Sequence, residues 1–412
     1  MDGLGFRESN CDLAAVGSGD QGNRNMSRGL VVAALCVVFG VAPALAAETS
    51  PTAKGALQPE QTSTEKLGPL KPHWIFVNDS NFLGYLDSKI YLFDGDSGSM
   101  LGMLSTGAFG NAAEFAPDFS AIYVPEMYYS RGSRGERTEV VSIYDTKELK
   151  AVGEVIIPAK RATGVPHRAY QGLSDDGRFM FVSNMTPATS TTVVDVLARK
   201  FTSEIEISGC NLVYPIGNRA FASLCGDGTL QVVTLDEGGN LKSRAHSEKF
   251  FDPEKDPLTE AASRFGNTWL FVSFDGYVHP VTFTDGQPKP GKPWSLFTDA
   301  ERAAGWRIGG SQFNVVHQGL GRLFVIVHQG GPYTRKAAGS QVWTFDLASS
   351  KKLAVLPMVA PVTSLGITKD AAPLLVANYA ATPAAYVYDA LTGKHLRTIE
   401  GPPMVPGFIQ VP

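Results

Sequence analysis

Seven strand-like runs, spaced roughly forty to sixty residues apart, each close on a short turn marked by an aspartate. They are IYLFDGDSG at Asp94, VVSIYDTKE at Asp145, TTVVDVLAR at Asp195, LQVVTLDEG at Asp236, VHPVTFTDG at Asp285, QVWTFDLAS at Asp346 and AYVYDALTG at Asp389. Each is β-branched and aromatic before the turn, which is how a strand announces itself. A small sheet cannot bury both of its faces alone, so a fixed period of this length implies units packed against one another. Seven units in a ring make an all-β, seven-bladed β-propeller, whose short edges stay protected. An irregular sandwich is the competing architecture, but sandwiches rarely exceed about 250 residues as one domain.

The chain has 412 residues, 43% of them hydrophobic, enough for a large core. Net charge is −4 and no stretch gathers Lys and Arg into a basic stripe, so nucleic acid is not an expected partner. Near the N-terminus, Met26 and Arg28 precede an apolar run from Leu30 to Val41, followed by the small residues Ala44 and Ala46. This pattern predicts a secretory signal over residues 1–47, with 1–25 as an over-extended start and cleavage near Ala46 or Ala47. The run of about a dozen residues is too short to span a bilayer. The expected address is the periplasm, with no membrane anchor. Residues 48–71, rich in Thr, Pro, Ser and Lys, predict a flexible arm, and 72–412 the propeller.

Of the four cysteines, Cys11 and Cys36 lie in or before the signal. Cys210 and Cys225 remain in the exported chain, bracketing NLVYPIGNRAFASL, which reads as two strands joined by a turn at Gly217-Asn218. In an oxidising compartment this pair predicts a disulfide. A metal or redox pair would call for C-x-x-C with nearby His, which is absent.

Turn aspartates before strands, such as those in Ala116–Ser120, Leu173–Gly177 and Thr368–Asp370, are expected to bond their own backbone. Thr298, with Glu301 three residues later, predicts a capped short helix within 297–306. The stretch from Glu126 to Thr138 lengthens the second unit with Tyr128, Tyr129, Arg131, Arg134 and Arg137, residue types enriched at protein contacts. A nucleophile elbow, phosphate loop and H-E-x-x-H are absent. The seven histidines are scattered; His317 and His328 flank one strand and are placed to approach each other, most simply as hydrogen-bonded structural residues. The carboxylates fall mostly in turns, and no acid–base pair stands out. No catalytic residue and no metal ligand set is expected in this chain.

Several stretches resemble the heavy subunit of quinoprotein amine dehydrogenases. They are Ser130–Val141, the cysteine pair with its spacing, Pro293–Gly310 and Leu396–Gly401, and the similarity runs from about residue 74 to the end. Within that family Val77–Phe82, Tyr91–Asp94, Trp294-Ser-Leu, Pro187–Ser190 and Val193–Asp195 are closer to the aralkylamine (aromatic amine) branch than to the methylamine branch. The resemblance implies a periplasmic complex of two heavy and two light chains. The light chain carries tryptophan tryptophylquinone and the catalytic aspartate, and electrons pass to an azurin- or amicyanin-type cupredoxin. It further implies that Phe82, with Tyr85 as its neighbour, lines the substrate channel. The surface offered to the light chain is read at Tyr129, Arg131, Arg134 and Arg137. A methylamine-selective complex, a lactonase-type propeller enzyme and a non-redox binding scaffold are the alternatives.

Overall fold

The computed structural model describes residues 63, 65–79, 87–108, 112–161 and 167–412, within a compact unit spanning Ser63–Pro412. Its strands form seven antiparallel sheets of four or five strands, the blades of a propeller. Blade one is closed by both ends of the chain. Trp74–Asp79, Ser88–Asp94 and Met100–Thr106 take their innermost strand from Pro406–Gln410, so Phe76 stands opposite Gln410 and Val77 opposite Ile409. The Asp79 carboxylate accepts from the amides of Met404 (2.8 Å) and Val405 (3.3 Å), fastening the returning segment.

Burial follows position in the blade. Middle strands such as Phe179–Asn184 and Ser190–Asp195 are buried at every residue, because a neighbouring blade covers each face. Outer strands such as Lys351–Val362 alternate between exposed and covered residues, since one face meets water. The core is therefore a ring of layers between blades. Ile75, Tyr91 and Phe93 of blade one pack on Leu374, Val376 and Val387 of blade seven, while Phe76, Ile90 and Leu92 pack on Ile122 and Val124 of blade two.

The recurring aspartate now has a physical cause. It ends or follows the third strand of each blade, and its side chain caps the turn into the fourth. Asp94 Oδ1 accepts from the amides of Asp96 and Ser97, Asp145 Oδ1 from Lys147 and Glu148, and Asp389 Oδ1 from Leu391 and Thr392. Asp285 does the job differently, taking a left-handed φ of +50° before Gly286. The pre-strand aspartates behave as expected: Asp118 accepts from Ser120 N, Asp176 from Arg178 N and Asp370 from Ala372 N.

Cys210 and Cys225 face each other across the Cys210–Ile216 and Ala220–Cys225 hairpin and are disulfide-bonded. The helix is Asp299–Ala303, with the reciprocal Thr298–Glu301 capping box, and it ends before Gly305, so Trp306 already belongs to the strand Trp306–Ile308. At the start of the compact unit, Leu67 N donates to Lys147 O (2.9 Å) and Lys66 pairs with Glu148 (3.1 Å). The end of the segment expected to be an arm is thus docked on blade two. No helix among the described residues is long and apolar enough to cross a membrane.

Candidate functional site

The inner strands of adjacent blades converge on a hub but do not form a common sheet there. Side-chain amides bridge them instead. Gln171 Nε2 donates to Ala112 O (2.7 Å), and Gln410 both accepts from Ala113 N (2.7 Å) and donates to Ala113 O (2.6 Å). Asn314 donates to Ala261 O (3.1 Å), and Gln312 of blade six reaches past its neighbour to Ile409 O of blade one (2.9 Å). Each such bond contributes about 1 kcal/mol, and leaving a buried partner unmade costs more. The strands approach closely enough that a Cβ on Gly366 would lie 2.3 Å from Ile409 Cγ2.

Between these strands lies a cavity of about 370 Å³ whose walls carry charge. Glu114 enters from blade two, Arg168 from blade three, Glu260 and Arg264 from blade five, and Lys369 from blade seven. Burial pushes the Glu114 carboxyl up to about 7, against the pull of Arg168 and Lys369. Burial also holds Arg168 below the usual guanidinium range, and burial together with the Arg168 charge lowers Lys369. Both basic side chains remain exposed to water, so the channel walls desolvate them only in part.

Further along the wall, His167 Nδ1 lies 3.2 Å from Glu260, which also pairs with Lys336. Burial works to raise Glu260, but Lys336 and His167 outweigh it and leave the carboxyl below its ordinary value. His167 itself is lowered by burial. Arg264 holds Asp175 through two contacts of 2.6 and 2.8 Å.

A second cluster sits under the blade-two hairpin. The chain runs Ala121–Arg131, turns, and returns over Arg134–Asp145, so the arginine segment is an extension of two paired strands and not an inserted loop. Arg131 and Arg134 are exposed at its tip, while Tyr129 and Arg137 are half-buried. Arg137 turns inward to Glu139 and to Arg161 O (3.3 Å). Glu126 is 1% exposed and accepts from Ser142 Oγ (2.5 Å), Tyr144 OH (2.5 Å) and Tyr128 OH. Burial raises the Glu126 carboxyl, while the three hydroxyls draw it back. Arg161, 3% exposed, is lowered to about 10 by burial and donates its backbone N–H to Glu139 (3.1 Å).

Phe82 and Tyr85 lie outside the described residues. The strands flanking them, Trp74–Asp79 and Ser88–Asp94, are the second and third of blade one. The blade-two hairpin is likewise formed by the second and third strands of its blade.

His317 and His328 do not come together. They sit at opposite ends of the Arg322–Gln329 strand, His317 paired in register with Arg322 and His328 with Arg307. His317 Nε2 donates to Asp370 O (2.8 Å) while its Nδ1 accepts from Leu320 N (3.0 Å), a structural arrangement. Four carboxylates depart from the expected placement in turns. Glu114, Glu126, Glu139 and Glu260 are interior groups in strands, and the one local hint is an acid set among apolar neighbours, as in Ala112-Ala-Glu114-Phe-Ala116. Among the described residues no group of three or more His, Cys, Asp or Glu stands together to hold a metal ion.

The family model for the methylamine dehydrogenase heavy chain matches residues 72–410. The chain is 28% identical over 377 residues to a methylamine dehydrogenase heavy chain of Methylobacillus flagellatus, covering 90% of this chain and 92% of that one. It is 28% identical over 392 residues to the heavy chain of Methylophilus methylotrophus, covering 93% and 95%. Among solved structures, a dihydro-heme d1 dehydrogenase aligns with a TM-score of 0.50 at 16% identity, over 84% of this chain and 68% of that one. A functionally unknown protein of Desulfotomaculum acetoxidans aligns with a TM-score of 0.54 at 13% identity, over 82% and 98%. These last two share the fold alone.

Proposed function

Because this chain belongs to the methylamine dehydrogenase heavy-chain family, we propose that it is the heavy subunit of a periplasmic quinoprotein amine dehydrogenase. The observation that carries this reading is the extent of the family match, residues 72–410, which takes in all seven blades and the closing strand. The reaction takes a primary amine and water to an aldehyde and ammonia, releasing two electrons that a cupredoxin of the azurin or amicyanin type accepts one at a time. The tryptophan tryptophylquinone of the light chain supplies the electron sink when the complex of two heavy and two light chains is formed.

This chain's own residues position and shield. Arg131 and Arg134, exposed on a rigid two-stranded extension, offer charged forks to a light chain, with Tyr129 beside them. Phe82 and Tyr85 shape the amine channel, where an aromatic wall excludes water and selects by packing.

For the substrate we take an aromatic primary amine, on the resemblance of Val77–Phe82, Pro187–Ser190 and Trp294-Ser-Leu to the aralkylamine branch. Methylamine is the second reading, favoured by the names of the relatives at 28% identity. Comparing kcat/KM for 2-phenylethylamine and methylamine on the purified complex separates them. A ratio above about 10 in favour of the aromatic amine, or about 1.4 kcal/mol of discrimination, supports the first. A preference for methylamine overturns it.

A further inference from the structure

Charge is left over at the hub. Of the basic groups on or beside the cavity wall, Lys336 is taken by Glu260 and Arg264 by Asp175. Arg168 and Lys369 are different. They come from blades three and seven and face the same space, where each side chain feels Glu114 through space and Arg168 repels Lys369. Neither makes a side-chain hydrogen bond or an ion pair among the described residues. Gln171, 3% exposed and also on the wall, commits its amide nitrogen to Ala112 O and leaves its carboxamide oxygen without a partner.

Two like charges facing one channel repel each other, and an ion of opposite sign between them relieves that repulsion. Glu114 does not fill that role, because it makes no ion pair with either. The space is large enough for a small molecule, at about 370 Å³. A guanidinium fork and an ammonium across from it match the oxygens of a carboxylate or a phosphate. The unpartnered Gln171 oxygen suits a hydroxyl on such a ligand.

We propose that the hub cavity is a binding site for a small oxyanion, a carboxylate or phosphate group, held between the Arg168 guanidinium and the Lys369 ammonium. Bound there, the anion ties blade three to blade seven across the hub and stabilises the ring by mass action. The site is separate from the amine-oxidising chemistry proposed above, so it survives even if that reading fails.

The test uses the purified chain, in its heavy–light complex where the two associate, exchanged into chloride buffer at pH 8 and titrated calorimetrically with inorganic phosphate and, separately, with succinate. One saturable site per heavy chain is expected. Binding of phosphate alone assigns the phosphate source, binding of succinate alone the carboxylate source, and either supports the site. Arg168→Gln and Lys369→Gln are each expected to weaken binding at least tenfold, while Glu114→Gln, which removes a competing negative charge, tightens it. The same anion should raise the thermal midpoint of the wild type and leave that of Arg168→Gln unmoved. Absence of saturable binding by both probes to the wild type overturns the proposal, as does binding that neither substitution weakens, which marks an adventitious ion only.

Discussion

Glu114 offers a measurable consequence of the hub's electrostatics. Its carboxyl titrates near 4.5 in an open chain but is pushed up to about 7 by burial in the channel. Between those values the folded protein holds a proton that the unfolded chain has released. Stability therefore falls as pH rises from about 4.5 to about 7, and the full penalty is present above that. At about 1.4 kcal/mol per pH unit, the part of this penalty that develops between pH 5 and pH 8 is about 2.5 kcal/mol. Glu114→Gln removes it, since the amide is close in shape and never ionises. His167 and His279 are lowered by burial, which gives the opposite slope, so only the difference between variant and wild type isolates Glu114. Urea unfolding at pH 5 and pH 8, in buffers free of phosphate and carboxylates, measures it. The variant should gain about 2.5 kcal/mol on the wild type between the two pH values. Parallel profiles within about 0.5 kcal/mol would mean that Glu114 is ionised in the folded protein, and the charge assignment at the hub would be wrong.

Replacing Cys210 and Cys225 together by Ser should cost about 3 kcal/mol, the chain-entropy value for a loop of about 15 residues; an unchanged urea midpoint counts against a native bond there. Phe82→Ala should shift the preference between short and aromatic amines while the complex stays assembled, and identical kinetics on both classes would remove Phe82 from the channel. Arg131→Ala with Arg134→Ala should loosen the heavy–light complex on a sizing column without lowering the heavy chain's own unfolding midpoint. An undisturbed tetramer would move the contact elsewhere.

Features set by near neighbours along the chain are legible in the amino-acid sequence itself. The aspartate-capped turns at Asp94, Asp145 and Asp389, the capping box at Thr298 and Glu301, and the Cys210–Cys225 hairpin each rest on fewer than about twenty residues, and the seven-fold period is the recurrence of such local units. Features set by closure of the ring are not. The strand Pro406–Gln410 pairs with Trp74–Asp79 from the other end of the chain, and nothing local in VPGFIQVP says so. The hub charges come from blades two, three and seven, so Glu114, Arg168 and Lys369 meet only once the ring has formed. Spatial arrangement also explains the histidines: His317 and His328 are close in sequence, but one extended strand holds them apart. The burial of Glu126 is not legible locally, because the hydroxyls of Tyr144 and Ser142 that surround it stand on the opposite strand.

If this propeller is a scaffold for another chain's chemistry, expressing it with and without an amine dehydrogenase light chain and following amine-dependent reduction of a cupredoxin will separate the two chains' contributions. The two chains should copurify, and reduction should occur with the complex and not with the heavy chain alone. Amine oxidation by the isolated heavy chain, or failure of the two chains to associate, would contradict the scaffold role.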